Sequence, residues 1–150
     1  MKQWRQSLRL LMGWRPAAMQ VGAVCRSRTT GEVLLVTSRG TGRWVIPKGW
    51  PMAGKTLPGA AATEAWEEAG VRGHIHEAEI GRYRYDKEQD QGYSVPVEVR
   101  VFLMEADDLQ SDFPEAKERK RRWFSPEEAA RRVVEPGLKQ ILLALPPTPG

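Results

Sequence analysis

One cysteine, Cys25, stands in a chain of 150 residues. No disulfide can therefore form within the chain, and the lone thiol, set in an apolar strand-like run, is expected to be core packing. The absence of cysteine pairs suits a cytoplasmic location. Long hydrophobic runs are missing too. Met1 to Pro16 is basic and carries Trp4, Leu8, Leu10, Leu11 and Trp14, but this stretch is too short and too interrupted for a signal sequence or a transmembrane helix. It is expected to be an arm packed on the domain surface, with an organelle-type presequence left open, and no membrane partner is expected. Neither an internal repeat nor a low-complexity block occurs. What remains, 41% hydrophobic content with six tryptophans, is enough to bury the core of one domain over residues 1–150, with 146–150 as a tail.

A local absence is more telling. Between Thr56 and Val71 there is no lysine or arginine, while Glu64, Glu67 and Glu68 crowd the end of a segment with helical periodicity. At about 100° per residue the three acids share roughly a quarter to a third of the helix circumference. Ala62, Ala65, Trp66 and Ala69 take the opposite arc, so one face is for packing and the other is carboxylate. Glu64 and Glu68 repel at i,i+4, and all three acids lie where the helix dipole prefers cations. Only Arg72, beyond the helix-ending Gly70, offers a partner within the segment. A divalent cation would remove the conflict, and carboxylate oxygens suit Mg²⁺ or Mn²⁺. A solvated acidic face has the same spacing, so the flanking residues decide.

Those flanks converge on the acids. A strand-like Arg43-Trp44-Val45-Ile46 enters a tight loop, Pro47-Lys48-Gly49-Trp50-Pro51, and Thr56-Leu57-Pro58 supplies a helix cap followed by a first-turn proline. From Gly49 to Val71 the chain resembles the signature of the Nudix hydrolases, Gx5Ex7REUxEExGU, with Gly49, Glu64, Glu67, Glu68, Gly70 and Val71 in register. Lys55 replaces the first glutamate, Thr63 the arginine, and the small Ala65 the bulky aliphatic position. The resemblance implies a metal held by Glu64, Glu68 and the Gly49 carbonyl, and Glu67 as general base. Glu98, Glu115 and Glu118 remain open as a further ligand or base, with Glu98 expected to be exposed. The exchange at Lys55 suggests a contact with substrate phosphate.

The remaining pattern is mixed. Strand-like runs cover 21–25, 33–37, 44–46, 73–85 and 94–105, with 86–92 as a connecting loop, a short strand at 122–124, a helix opening at Ser125 with capping-box spacing, and a last helix over 135–145. An α/β fold with a mixed sheet follows, and the resemblance implies an α/β/α sandwich.

The net charge of +4 and pI near 9.5 place the acidic helix in a basic protein. Basic residues gather at 26–43, 82–87 and 117–122, and if they converge on the acids they would hold a phosphorylated small molecule. Within the family the chain is similar to diphosphoinositol polyphosphate and dinucleoside polyphosphate phosphohydrolases, through Thr37-Ser38-Arg39, Arg43 to Gly49 and Arg119 to Phe124. Ser38, Arg39, Arg43, Lys48, Lys55, Arg119 and Arg121 are the expected substrate contacts, and the expected reaction is Mg²⁺-assisted hydrolysis of a phosphoanhydride. Two other classes stay open: a Nudix-fold domain that binds a phosphorylated ligand without cleaving it, and a basic nucleic-acid-binding protein. The last is disfavoured because no nucleic-acid motif accompanies the charge.

Overall fold

In β1 (Ala18–Ser27), Val21, Ala23 and Cys25 enter one buried cluster while Ala18 and Val24 enter another. This is the two-residue alternation of a strand covered on both faces. The protein is described by a computed structural model over residues 18–89 and 91–148; the expected N-terminal arm and the last two residues of the tail lie outside the described residues. Cys25 is fully buried and burial pushes its thiol up to about 12, as core packing requires.

Around β1 lies a mixed sheet. β2 (Val33–Thr37), β3 (Trp44–Val45), β4 (Lys48–Gly49), β5 (Val71–Glu88), β6 (Ser94–Leu109) and β7 (Arg121–Phe124) complete it. Among the described residues only the β1–β6 pairing is parallel, running from Ala18↔Val97 to Ser27↔Ala106; β1 with β2 and β4, β2 with β3 and β7, and β5 with β6 are antiparallel. α1 (Leu57–Ala69) covers one face; α2 (Pro126–Arg132) and α3 (Pro136–Leu143) cover the other. The chain thus folds as an α/β/α sandwich, with Leu138 and Leu142 buried on Val97, Val99 and Val101. Each such leucine contributes roughly 1.5–3 kcal/mol. Among the described residues, no helix is long and apolar enough to cross a membrane.

Most strands run a few residues beyond the expected bounds, and three differences stand out. Lys48 and Gly49 form a short strand on β1, through Gly22↔Lys48 and Val21↔Gly49, instead of a free loop. The β5–β6 ribbon continues to Glu88, and the turn shrinks to a closure in which the Gln89 N–H donates to the Tyr93 carbonyl at 2.9 Å. The added residues continue the backbone ladder, with Asp86 opposite Pro96, Lys87 opposite Val95 and Glu88 opposite Ser94, while Arg84–Glu98 at 3.4 Å is a cross-strand ion pair just before them. The last helix begins after Glu135 and ends before Ala144, with Pro146 preventing further turns.

Candidate active site

α1 is fixed at both ends. The Gly59 N–H donates to Thr56 Oγ1 at 3.1 Å, and Gly70 closes the helix with a left-handed φ of 69° that a side chain would strain. Its buried face is Ala60, Ala61, Glu64, Ala65, Glu68 and Ala69. Alanine removes bulk between helix and sheet, so the helix sits close and carries two carboxylates inward. Glu64 and Glu68 are only 8% and 7% exposed. The acids therefore do not oppose the packing face, as the helical wheel suggests. Two of them border it, and Glu67 is half-buried to one side.

Gly49 explains how Glu64 fits. A Cβ at this position would collide with the Glu64 carboxylate, so only glycine lets the β4 backbone lie against that group. The Lys48 N–H donates to Glu68 Oε1 at 3.3 Å. Arg119, from the turn before β7, brings Nη2 to 3.6 Å from Glu68 Oε2, while its Nε donates to Glu115 at 2.7 Å and its Nη1 to the Thr37 carbonyl at 3.0 Å. This cation is supplied from far along the chain. Arg72, the local candidate, instead lies over the Trp66 ring at 3.7 Å.

Even so, the acids remain under-compensated. Burial, then the charges of Glu68 and Glu67, push the Glu64 carboxyl up to about 7. Burial likewise raises Glu68 to about 7 although Arg119 and Lys48 oppose it. Burial also pulls the Lys48 ammonium below its ordinary value, with the Glu68 charge opposing the shift.

Both glutamates line a cleft of about 460 Å³. Its walls bring together the predicted Ser38, Arg39, Arg43, Lys48, Gly49 and Arg119, and add Lys87, Glu115 and Glu135, which sequence reasoning did not single out as site residues or, for Glu115, left open. Arg39 is tied to Glu118 at 3.4 Å, and Arg43 donates to Thr41 at 3.1 Å. Glu67, Lys55 and Arg121 do not line the cleft. Lys55 Nζ donates to Thr63 Oγ1 at 2.6 Å, so the two positions that depart from the signature contact each other. Arg121 donates to the Ala69 carbonyl at 2.7 Å and lies over Phe113, where it anchors the end of α1. Glu98 is half-buried, not exposed, because Arg82 and Arg84 hold it on the ribbon.

The NUDIX domain matches residues 16–145 of the chain. The chain belongs to the Nudix family. It is 33% identical over 124 residues to diphosphoinositol polyphosphate phosphohydrolase 3-alpha of Mus musculus, covering 77% of this chain and 70% of the relative. It is 32% identical over 108 residues to Nudix hydrolase 12, mitochondrial, of Arabidopsis thaliana, covering 65% and 50% of the two chains. In structure it is similar to the MutT protein from Methanosarcina mazei Go1, with a TM-score of 0.63 at 20% identity over 86% of this chain and 92% of the other. A C. elegans Ap4A hydrolase gives a TM-score of 0.59 at 23% identity over 85% and 95%. These structural likenesses support the fold, and the sequence relatives support a Nudix hydrolase that acts as a pyrophosphohydrolase.

Nudix hydrolases generally use divalent metals, and the donor set here fits one. Among the described residues, no group of three or more His, Cys, Asp or Glu side chains is arranged to hold a metal ion by itself. Two buried carboxylates, one of them packed against the β4 backbone at Gly49, suit a cation that keeps several waters and shares substrate phosphate. A cation held by these carboxylates would also favour their charged forms against the burial that raises both groups.

Proposed function

We propose that this Nudix hydrolase cleaves a phosphoanhydride of a diphosphate or polyphosphate linked to another moiety, with diadenosine polyphosphates and diphosphoinositol polyphosphates as the substrates to test, and that it depends on Mg²⁺, with Mn²⁺ as a substitute. The observation that carries this reading is the pair Glu64 and Glu68, buried and raised to about 7, in one cleft with Arg39, Arg43, Lys48 and Arg119. Carboxylates alone would repel the substrate; the cationic wall attracts its phosphates.

Glu64, Glu68 and the Gly49 carbonyl would hold the cation. The chemistry it supplies when bound is charge neutralisation on the anhydride oxygens and activation of water. Arg39 and Arg43 orient the phosphate chain, and Lys48 adds positive charge where the leaving phosphate becomes more anionic. Glu67 is the proposed base that receives the water proton, carried by its place in the signature. A second reading assigns that role to Glu115, because Glu115 lines the cleft and Glu67 does not.

Lys55 and Arg121 support the site differently in this reading: Lys55 through Thr63, and Arg121 through the end of α1. The lone buried Cys25 accords with the proposed cytoplasmic location. A panel of diadenosine and diphosphoinositol polyphosphates, with Mg²⁺ and Mn²⁺ compared, tests the proposal. Cation-dependent release of phosphate-containing product that falls in Glu68→Gln supports it. Full activity in metal-free buffer, or no cleavage of any member of the panel, would overturn it.

A further inference from the structure

The cleft contains a second buried acid with different surroundings. Glu135, at the start of α3, is only 6% exposed and lines the same cleft as Glu64 and Glu68. Among the described residues, its Oε1 is buried without a hydrogen-bond partner. It occupies the helix cap, yet its side chain makes no capping bond. The obvious intramolecular use of this carboxylate is therefore declined.

The neighbouring polar groups do not satisfy it. Tyr85 donates its hydroxyl to Gln20 Oε1 at 2.7 Å, and the Lys48 ammonium lies 5.2 Å from the Tyr85 ring centroid. Glu135 forms no ion pair among the described residues. α3 cannot easily withdraw from this position, because Gly137 is pressed against Tyr83, where an added Cβ would come within 2.7 Å of the Tyr83 Cβ. The orphan acceptor is thus held in place by packing. A buried carboxylate oxygen without a donor is costly and calls for a water, an ion or a ligand.

Its chemistry discriminates between the two substrate types. Phosphate presents only acceptors and negative charge at neutral pH, so a ring phosphate against Glu135 meets repulsion. An uncharged group with N–H or O–H donors, such as a nucleobase edge or a ribose diol, satisfies it. Around the cleft, Arg39, Arg43 and Arg119 supply donors for phosphate, while Glu135 supplies an acceptor for something else.

We propose that Glu135 is a specificity-determining residue, whose unpartnered carboxylate oxygen accepts a hydrogen bond from an uncharged, donor-bearing moiety on the polyphosphate and selects nucleoside-linked substrates over polyphosphorylated rings. This rests on the phosphoanhydride-hydrolase reading and narrows its substrate class.

The test compares binding and turnover in the wild-type chain and in Glu135→Gln, with Glu135→Asp as a variant that retains the charge but shortens its reach. Calorimetry with ADP and with inositol hexakisphosphate reads the selection without requiring hydrolysis. Loss of the charge-assisted hydrogen bond is expected to weaken ADP binding about tenfold or more and to strengthen inositol hexakisphosphate binding. KM for diadenosine tetraphosphate rises correspondingly, with kcat changing less. Melting curves confirm that Glu135→Gln and Glu135→Asp remain folded at the assay temperature. Failure of hydrolysis in the wild type with the ADP preference intact would reject the enzyme reading and retain this one. An ADP-to-inositol-hexakisphosphate affinity ratio unchanged in folded Glu135→Gln and Glu135→Asp, as a purely water-bridged or structural role requires, would overturn it.

Discussion

Glu105 and Glu68 are both buried carboxylates, at 1% and 7% exposure, but the fold treats them in opposite ways. Burial works to raise Glu105, yet hydrogen bonds and charge from Arg26, assisted by His76, outweigh it and hold the carboxyl below its ordinary value. Arg26 Nη2 lies 3.0 Å from Glu105 Oε2, so the pair is complete within the chain. Glu68 receives an Arg119 contact at 3.6 Å and shares its surroundings with Glu64 and Glu115, and burial wins. A completed acid contributes to structure; an incomplete one, facing a cleft, is available for chemistry.

The largest effects should separate these roles. Glu68→Gln is expected to lower kcat on the order of 10²-fold or more while the melting temperature holds or rises, because a repelling charge is removed. Arg26→Met should do the reverse. Leaving Glu105 buried with only His76 beside it costs up to about 3–5 kcal/mol in denaturant unfolding, with kcat per folded molecule unchanged. If both variants lose stability and activity together, the contrast fails.

A smaller change tests the backbone cradle. Gly49→Ala puts a methyl group into the Glu64 carboxylate, and Mn²⁺ affinity is expected to fall about 10–100-fold, the range found when supports of metal ligands are disturbed. An unaltered titration would remove Gly49 from the site.

The pH dependence should carry opposite signs at the two places. Glu64 and Glu68 titrate near 7 when folded and near 4.5 when unfolded, so the folded metal-free chain binds more protons between those values and their contribution to stability falls as pH rises through that window. Glu105 is shifted downward, so its contribution is present above the ordinary carboxylate range and is lost as pH falls through its lowered value. Metal-free melting curves from pH 4.5 to 7.5 should therefore flatten in Glu68→Gln. A slope identical to wild type would contradict the assigned ionisations.

The smallest expected effect is at Lys55. With its amino group on Thr63 outside the cleft, Lys55→Glu should alter KM by no more than about twofold, within the usual range of a surface substitution. A large rise in KM for polyphosphates would place Lys55 on substrate phosphate after all.

What the sequence made legible follows the same division. The spacing of Glu64, Glu67 and Glu68 after Gly49 is local, and a local pattern survives folding because one helix and one short strand carry it. The apolar run in β1 and the alternation in β6 likewise identified strands of the sheet. The helical wheel placed Ala65 and Ala69 on the buried face but wrongly set Glu64 and Glu68 opposite it, since it weighs polarity and cannot see that Ala60, Ala61 and Ala65 admit close approach to the sheet. Arg119 was legible as a basic residue but not as the partner of Glu68 and Glu115. Glu135 resembled any acid before a proline; its significance lies in donors that are absent around it, and those belong to β1, β4 and β5, far away in sequence.

The most direct measurement is cleavage of diadenosine tetraphosphate and a diphosphoinositol polyphosphate by the wild-type chain, Glu68→Gln and Glu105→Gln, with Mg²⁺ present and after chelation. Cation-dependent cleavage of at least one substrate that collapses in Glu68→Gln but persists in folded Glu105→Gln is the predicted result. Cleavage that survives both chelation and Glu68→Gln would contradict the assignment of this carboxylate pair to the reaction.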